Sequence, residues 1–213
     1  MKGLVCPHYC CSCGVFGEIL CECCKKYIIK NAPNICLECG EATCDGICEY
    51  CQKMYGGSWC LGYRDEIVGL VAEYYKYKPI RALSMEFADM LNELLPCWGN
   101  VKIVSLPTIG KHVRERGFDH VLLVAKKLAR ARGWDVDNIV KRRAETVQMG
   151  ASRSVRKQQA QEAYSLDGVV DGLSRYLVLD DIYTTGASIK TVCNMLKSAG
   201  ATRIDVAVIA RSR

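Results

Sequence analysis

The sequence predicts an α/β fold, a mostly parallel sheet flanked by helices, with a small metal-stabilised segment in front of it. Three observations lead there. Short apolar runs of strand type, at residues 101–106 and 202–209, alternate with stretches whose apolar residues recur at helical spacing. Near the C-terminus a third run, Leu177 to Leu179, ends in two adjacent carboxylates, Asp180 and Asp181, and then in the hydroxyl-rich turn Thr184-Thr185-Gly186-Ala187-Ser188. Finally, thirteen of the fifteen cysteines lie in the first sixty residues.

The cysteines form a repeat. Cys10 and Cys13 are followed by Cys21 and Cys24, then Cys36 and Cys39 by Cys48 and Cys51, with corresponding cysteines 26 or 27 residues apart. Each C-x2-C presents two thiolates from one knuckle, and two knuckles complete a tetrahedral four-thiolate zinc site. A disulfide framework would need a secretory context, and the first residues lack the apolar region of a signal peptide. Consecutive pairing gives one site from Cys10, Cys13, Cys21 and Cys24 and another from Cys36, Cys39, Cys48 and Cys51. Cross-bracing between the repeats, or replacement of a ligand by Cys6, His8, Cys11 or Cys23 in the crowded first unit, remains open at this level. Cys44 and Cys60 read as thiols outside both sites. Four-thiolate zinc leaves no open position for water, so this segment is structural rather than catalytic.

Residues 54–58, with two glycines, read as a linker. A short strand or connector at 59–63 precedes a helix over 64–77 with Ile67, Leu70, Val71 and Tyr74 on one side, ending at Lys78-Pro79. A second helix over 80–95 buries Leu83, Phe87, Met90, Leu91 and Leu94. Residues 101–106 are a central strand, and Pro107-Thr108-Ile109-Gly110 ends it. Lys111 to Phe118 reads as a basic loop, entering a helix over 119–132 with Val121, Leu122, Ala125, Leu128 and Ala129 inward. Strand, basic Gly-containing loop and helix make one anion site. The run at 176–188 makes another: a glycine turn at a helix start binds phosphate, while the two carboxylates accept hydrogen bonds from sugar hydroxyls. Together they ask for a phosphorylated sugar.

Charge agrees with an anionic ligand. Residues 111–157 hold thirteen Lys and Arg against five acids, whereas the first sixty residues hold five against six. A solvated basic face and a nucleic-acid surface are the competing uses of that charge. No apolar run is long enough to span a bilayer, so a soluble, cytoplasmic protein without a membrane span is expected.

The run Val178-Leu-Asp-Asp-Ile-Tyr-Thr-Thr-Gly-Ala-Ser188 resembles the phosphoribosyl pyrophosphate (PRPP) signature of type I phosphoribosyltransferases. Joined to the cysteine-rich start, a Tyr-Lys-Tyr helix end, the Leu-Pro turn and Arg114-x-Arg116-Gly-Phe118, it is similar over nearly the whole chain to the ComF family, competence-associated phosphoribosyltransferase-like proteins. That resemblance implies a double zinc-ribbon-like domain at residues 1–57 and a type I phosphoribosyltransferase fold at 58–213. It implies two structural Zn2+ ions, and PRPP bound with Mg2+. Asp180 and Asp181 would hold the ribose hydroxyls, and Thr184, Thr185, Gly186, Ala187 and Ser188 the 5-phosphate. Arg114, Arg116 and Lys111 would face the diphosphate, Pro107 and Thr108 would be among the ligand-binding residues, and Arg143 or Arg156 would belong to a flap that excludes water. The family commonly has Asn-Gln where this chain has Asp119-His120. Two functions follow: a PRPP-binding phosphoribosyltransferase-like protein acting in DNA uptake, or a single-stranded DNA-binding module whose PRPP site is regulatory or vestigial. A DNA-uptake helicase is the implied protein partner.

Overall fold

The computed structural model describes residues 9–44, 46–51, 54–78, 80–143 and 163–213. In chain order the elements are α1 (Glu22–Lys30), β1 (Ser58–Cys60), α2 (Ile67–Tyr77), α3 (Leu83–Leu94), β2 (Val101–Ser105), α4 (Gly110–Arg116) and α5 (His120–Arg132). There follow β3 (Asp135–Val136), β4 (Val140–Arg142), β5 (Tyr164–Leu166), β6 (Arg175–Tyr183), α6 (Ala187–Ser198) and β7 (Arg203–Arg211). The expected architecture forms: a five-stranded sheet in the order β1-β7-β6-β2-β3, parallel throughout, flanked by helices and preceded by the cysteine clusters. A separate antiparallel hairpin pairs β4 with β5.

Period-two alternation divides the strands between two apolar layers. Leu177, Leu179, Ala207 and Ile209 face α2, α3 and α5; Tyr176, Val178, Val206 and Val208 face α6 and the β4–β5 hairpin. The cysteine segment joins both layers. Leu20 and Ile28 of the first unit belong to one, and Leu37 of the second belongs to the other. The expected linker is also part of the sheet: the Gly56 N–H donates to the Ile204 carbonyl at 2.8 Å, and the Gly57 N–H to Asp205 Oδ1 at 2.7 Å. Backbone groups at a buried edge must be paired, and these are paired by β7 and its side chain.

Two expectations need correction. In α2 the inward residues are Val68, Val71, Ala72 and Tyr75, while Leu70 is 64% exposed and Tyr74 41%. The helix is apolar on both sides, so spacing alone gave the wrong phase. The basic loop after β2 is instead the two-turn helix α4, closed by Gly117 at φ 78°. In α5 the inner face holds His120 and Val124 besides Val121, Ala125, Leu128 and Ala129, with Leu122 at its margin. Asp119 caps this helix, accepting from the N–H groups of Val121 and Leu122, both at 3.1 Å. Among the described residues no helix is long and apolar enough to cross a membrane.

Close packing sets one residue that propensity would not. A Cβ on Gly69 of α2 would lie 1.9 Å from the Arg64 carbonyl oxygen. Alanine gains about 1 kcal/mol in helix propensity, but overpacking against backbone costs about 1–3 kcal/mol. Gly69→Ala should therefore lower the stability by up to about 2 kcal/mol in urea denaturation, and a rise would contradict this packing.

Candidate functional site

Topology locates the site. β2 and β6 are neighbours, but the chain leaves β2 toward β3 on one side and leaves β6 toward β7 on the other. Such a switch point opens a crevice at the carboxyl ends of the two strands. Here the crevice has a volume of about 240 Å³, and Lys76, Thr108, Arg116, His120, Asp180 and Asp181 are among its walls. A larger cleft, about 980 Å³, lies at the opposite ends of the strands. Its Arg175 is committed to Asp205 and to the Trp98 ring, 4.6 Å away, so size does not mark the chemistry.

β6 does not stop at the two carboxylates; it runs on to Tyr183, still in register with β7. β2 stops instead: its last ladder contact is the Leu106 N–H on the Leu179 carbonyl, and Pro107 turns the chain away. Beyond that point the Asp180 carboxylate accepts from the Asp181 N–H, and the Asp181 carboxylate from the Ile182 N–H, each at 2.8 Å. The departure of β2 thus exposes both acids to one cleft.

Three helices converge on Asp181. Lys76 of α2 approaches Oδ2 at 3.1 Å, and His120 Nε2 of α5 lies 2.8 Å from the same oxygen. Arg116 of α4 is 2.7 Å from His120 Nδ1. A guanidinium only donates, so Nδ1 accepts and Nε2 carries the proton given to Asp181. Burial pushes the Asp181 pKa up, but the His120 hydrogen bond and the Lys76 ammonium outweigh it and hold the group well below its ordinary value. Asp180 goes the other way, raised well above that value by burial first and by the Asp181 charge second. Neighbouring acids whose pKa values are driven apart mark a candidate functional site.

The hydroxyl-rich turn stands beside the acids. Gly186 has φ 68°, and a Cβ there would lie 2.1 Å from the Tyr183 hydroxyl oxygen, so only glycine fits. Ser188 lines the cleft; Thr184, Thr185 and Ala187 are exposed at its rim, and the Thr185 hydroxyl accepts from the Ala187 N–H at 3.4 Å. On the opposite wall Pro107 and Thr108 line the cleft, with the Thr108 hydroxyl donating to Asp119 at 3.1 Å. Arg116 lines it as well. Arg114 and Lys111 are exposed on α4 and are not among its walls. Strand alternation in β4 turns Arg142 inward beside the Tyr164 ring and leaves Arg143 outside. Arg156 lies outside the described residues.

Sequence reasoning missed Lys76, His120 and Arg142. Lys76 belongs to the Tyr-Lys-Tyr helix end that carries part of the resemblance, and nothing local marks it as a partner of a residue 105 positions later. His120 was noted only as a departure from the resemblance.

The cysteines gather as consecutive pairing requires. In each of the two groups, Cys10, Cys13, Cys21, Cys24 and Cys36, Cys39, Cys48, Cys51, all four sulfurs lie within 4.8 Å of one another. The Cys13–Cys21 and Cys39–Cys48 sulfur separations are 3.6 and 3.7 Å. A tetrahedron with Zn–S of about 2.3 Å has edges of about 3.8 Å, so both sets could hold zinc without rearrangement. The repeat is also structural: Cys10 N–H donates to the Val15 carbonyl and Cys36 N–H to that of Glu41, both at 2.8 Å. Cys11 and Cys23 join neither group; Cys6 and His8 lie outside the described residues.

Two measurements follow. Metal analysis should return about two zinc per chain, and Cys39→Ser should reduce this to about one. The carboxylate pair sets a pH response. Asp181 contributes stability that is present above the ordinary carboxylate value of 3.8 and is lost on acidification. Asp180 costs stability as rising pH ionises it. Asp180→Asn should therefore raise the thermal midpoint over wild type by a margin that widens with pH, whereas Asp181→Asn should cost about 1–3 kcal/mol at neutral pH by stranding Lys76 and His120.

No protein-family model matches the chain. Among curated proteins, the DNA utilization protein YhgH of Salmonella typhi is 31% identical over 113 residues, covering 52% of this chain and 49% of that protein. The chain therefore matches about half the length of that relative. The competence protein ComFC of Streptococcus pneumoniae is 26% identical over 193 residues, covering 85% of this chain and 83% of its own. Solved structures with some likeness include an allosteric regulatory enzyme of purine biosynthesis (TM-score 0.48, 19% identity, 64% of this chain and 30% of that one). A hypoxanthine phosphoribosyltransferase from Staphylococcus aureus is another (TM-score 0.34, 14% identity, 61% of each chain). Neither reaches 0.5, and the fold described above rests on the strand order itself. The chain is thus similar to proteins named ComFC and YhgH, and its two four-cysteine clusters fit a double zinc ribbon of the kind the resemblance to the ComF family implies.

Proposed function

We propose that this chain binds PRPP with Mg2+ in the crevice between β2 and β6, as a phosphoribosyltransferase-type protein that serves DNA uptake. One observation carries the reading: two adjacent acids lining the crevice where β2 leaves the sheet, their pKa values pushed in opposite directions, followed at once by the Gly186 turn. Asp180 and Asp181 hold the ribose hydroxyls. The 5-phosphate rests on the turn at 184–188, where backbone N–H groups and hydroxyls meet a helix start. Arg116 and Arg142, on facing walls, take the diphosphate, and Thr108 fixes the loop between them and β2. Asp180 and Asp181 are the only carboxylates among the described lining residues, and so the protein oxygens available to Mg2+. When bound, that ion supplies neutralisation of the leaving diphosphate oxygens.

If the chain transfers the ribosyl group, the bond from C1 to the diphosphate breaks as an acceptor bond forms. Arg116 and Arg142 then stabilise the departing charge, and the walls exclude water that would otherwise hydrolyse the sugar. The names of the relatives, a competence protein and a DNA utilization protein, support a role in handling incoming DNA. Its place would be the cytoplasm, where thiolates stay reduced. A second reading has the zinc segment contact single-stranded DNA directly, alone or with a helicase. It is favoured by the edge-to-face pair Tyr9 and Phe16 on the first knuckle, 64% and 65% exposed.

PRPP with Mg2+ at about 100 times its Kd should add about 2.7 kcal/mol to stability and raise the thermal midpoint by about 5–10 °C. The double variant Asp180→Asn, Asp181→Asn should lose that shift. An unchanged wild-type midpoint at saturating ligand would reject the PRPP reading.

A further inference from the structure

The second cysteine knuckle is tied to the anion-binding turn, and the first is not. Glu38 sits between Cys36 and Cys39, so its backbone is fixed by the knuckle. Its carboxylate accepts from the Tyr183 hydroxyl at 2.8 Å and pairs with Lys190. Those two residues bracket the turn. Tyr183 is the last residue of β6, and its phenol lies where a Gly186 side chain would be; the Lys190 N–H donates to the Gly186 carbonyl at 2.8 Å. The knuckle is itself anchored, since Leu37 is fully buried and its carbonyl accepts from Arg211 Nε at 3.1 Å. In the first repeat the corresponding residue is Ser12, which has neither the charge nor the reach for such a contact.

We propose that Glu38 is a positioning residue for the phosphate turn: through Tyr183 and Lys190 the second knuckle holds residues 184–188 in the shape that receives a sugar 5-phosphate. This rests on the PRPP reading for its ligand, but not for its mechanics. The contacts made by Glu38 end on the two residues that bracket the turn, Tyr183 and Lys190, and not on Arg116 or Arg142. Its loss should therefore weaken the grip on the 5-phosphate and spare the grip on diphosphate.

The test uses the full zinc-loaded chain and calorimetric titration with two probes, ribose 5-phosphate and inorganic pyrophosphate with Mg2+. Glu38→Ala should weaken ribose 5-phosphate by about tenfold, the loss expected for one charge-assisted hydrogen bond, and leave pyrophosphate within about twofold. Glu38→Gln, which still accepts from the Tyr183 hydroxyl, should recover part of the loss, and Ser12→Ala should change neither probe. Equal affinities in Glu38→Ala and wild type, or equal losses for both probes, would overturn the proposal. Amide hydrogen exchange in the unliganded chain decides the matter even if wild type binds neither probe. Glu38→Ala should speed exchange at Gly186, Ala187 and Ser188 and leave the β6 amides before Asp180 unchanged. No change at those three amides would sink the brace, whereas faster exchange without probe binding would sink only the PRPP reading.

Discussion

Two consecutive carboxylates in one half-buried cleft cannot both ionise cheaply, and much of the surrounding architecture answers that constraint. Like charges a few ångströms apart in a poorly solvated recess push one group to stay protonated unless cations are supplied. The chain supplies one cation, Lys76, and one N–H donor, His120 Nε2, to the same acid. Lys76 and His120 both approach Asp181 Oδ2, and Arg116 orients the imidazole from behind. Asp181 is thereby held below the ordinary carboxylate pKa, and Asp180 is pushed above it. The three helices that bring those side chains must hold their register against the sheet to within a hydrogen bond. The Tyr75 hydroxyl, which donates to the His120 carbonyl at 2.9 Å, ties α2 to α5 for that purpose.

The same rigidity is built from an unusual set of parts. The cysteine segment has too few apolar residues for a core of its own, yet it contributes to both core layers of the sheet. β1, the edge strand it leads into, pairs with β7 and continues through Gly56 and Gly57. Cysteine knuckles give fixed backbone geometry without a large core, and here they cover a sheet edge that would otherwise present unpaired groups. A small metal-stabilised unit can therefore act as a wall of the larger fold rather than as an appendage swinging on a linker.

Local signals were the ones legible in the sequence. Most of the buried stripe of α3, the strands read at 101–106 and 202–209, the cysteine repeat and the Asp-Asp edge could be read because each depends on residues close in sequence, whereas the choice between consecutive and cross-braced cysteine pairing needed the fold. Three features were not readable. The phase of α2 failed because apolar residues cover both its faces. α4 read as a loop because a two-turn helix bounded by glycines, rich in charge and without a buried residue, has no periodic stripe to detect. Lys76, His120 and Arg142 were missed because their relevance is purely tertiary: each is an ordinary polar residue until the fold brings it to the mouth of β2 and β6. The residues read as a flap at 146–159 fall outside the described part of the chain.

The basic segment also changes meaning once folded. Its charge suggested a single cationic face, but the described residues divide it among different tasks. Arg132 closes the C-terminus of α3, donating to the carbonyls of Leu95 at 2.7 Å and Pro96 at 2.9 Å, and lies over the Trp134 ring. Lys111 stands near Glu115 in solvent, where an ion pair is worth little. Only Arg116 and Arg142 of that segment line the cleft, joined there by Lys76 from outside it. Three cationic side chains thus face two carboxylates, one of which has its pKa raised by burial and by its neighbour. Cations outnumber acids in the crevice even with both acids ionised, and the raised Asp180 pKa weakens the opposing negative charge further. Net charge along the sequence pointed toward an anion; the three cations that the fold brings to one crevice are what can attract one.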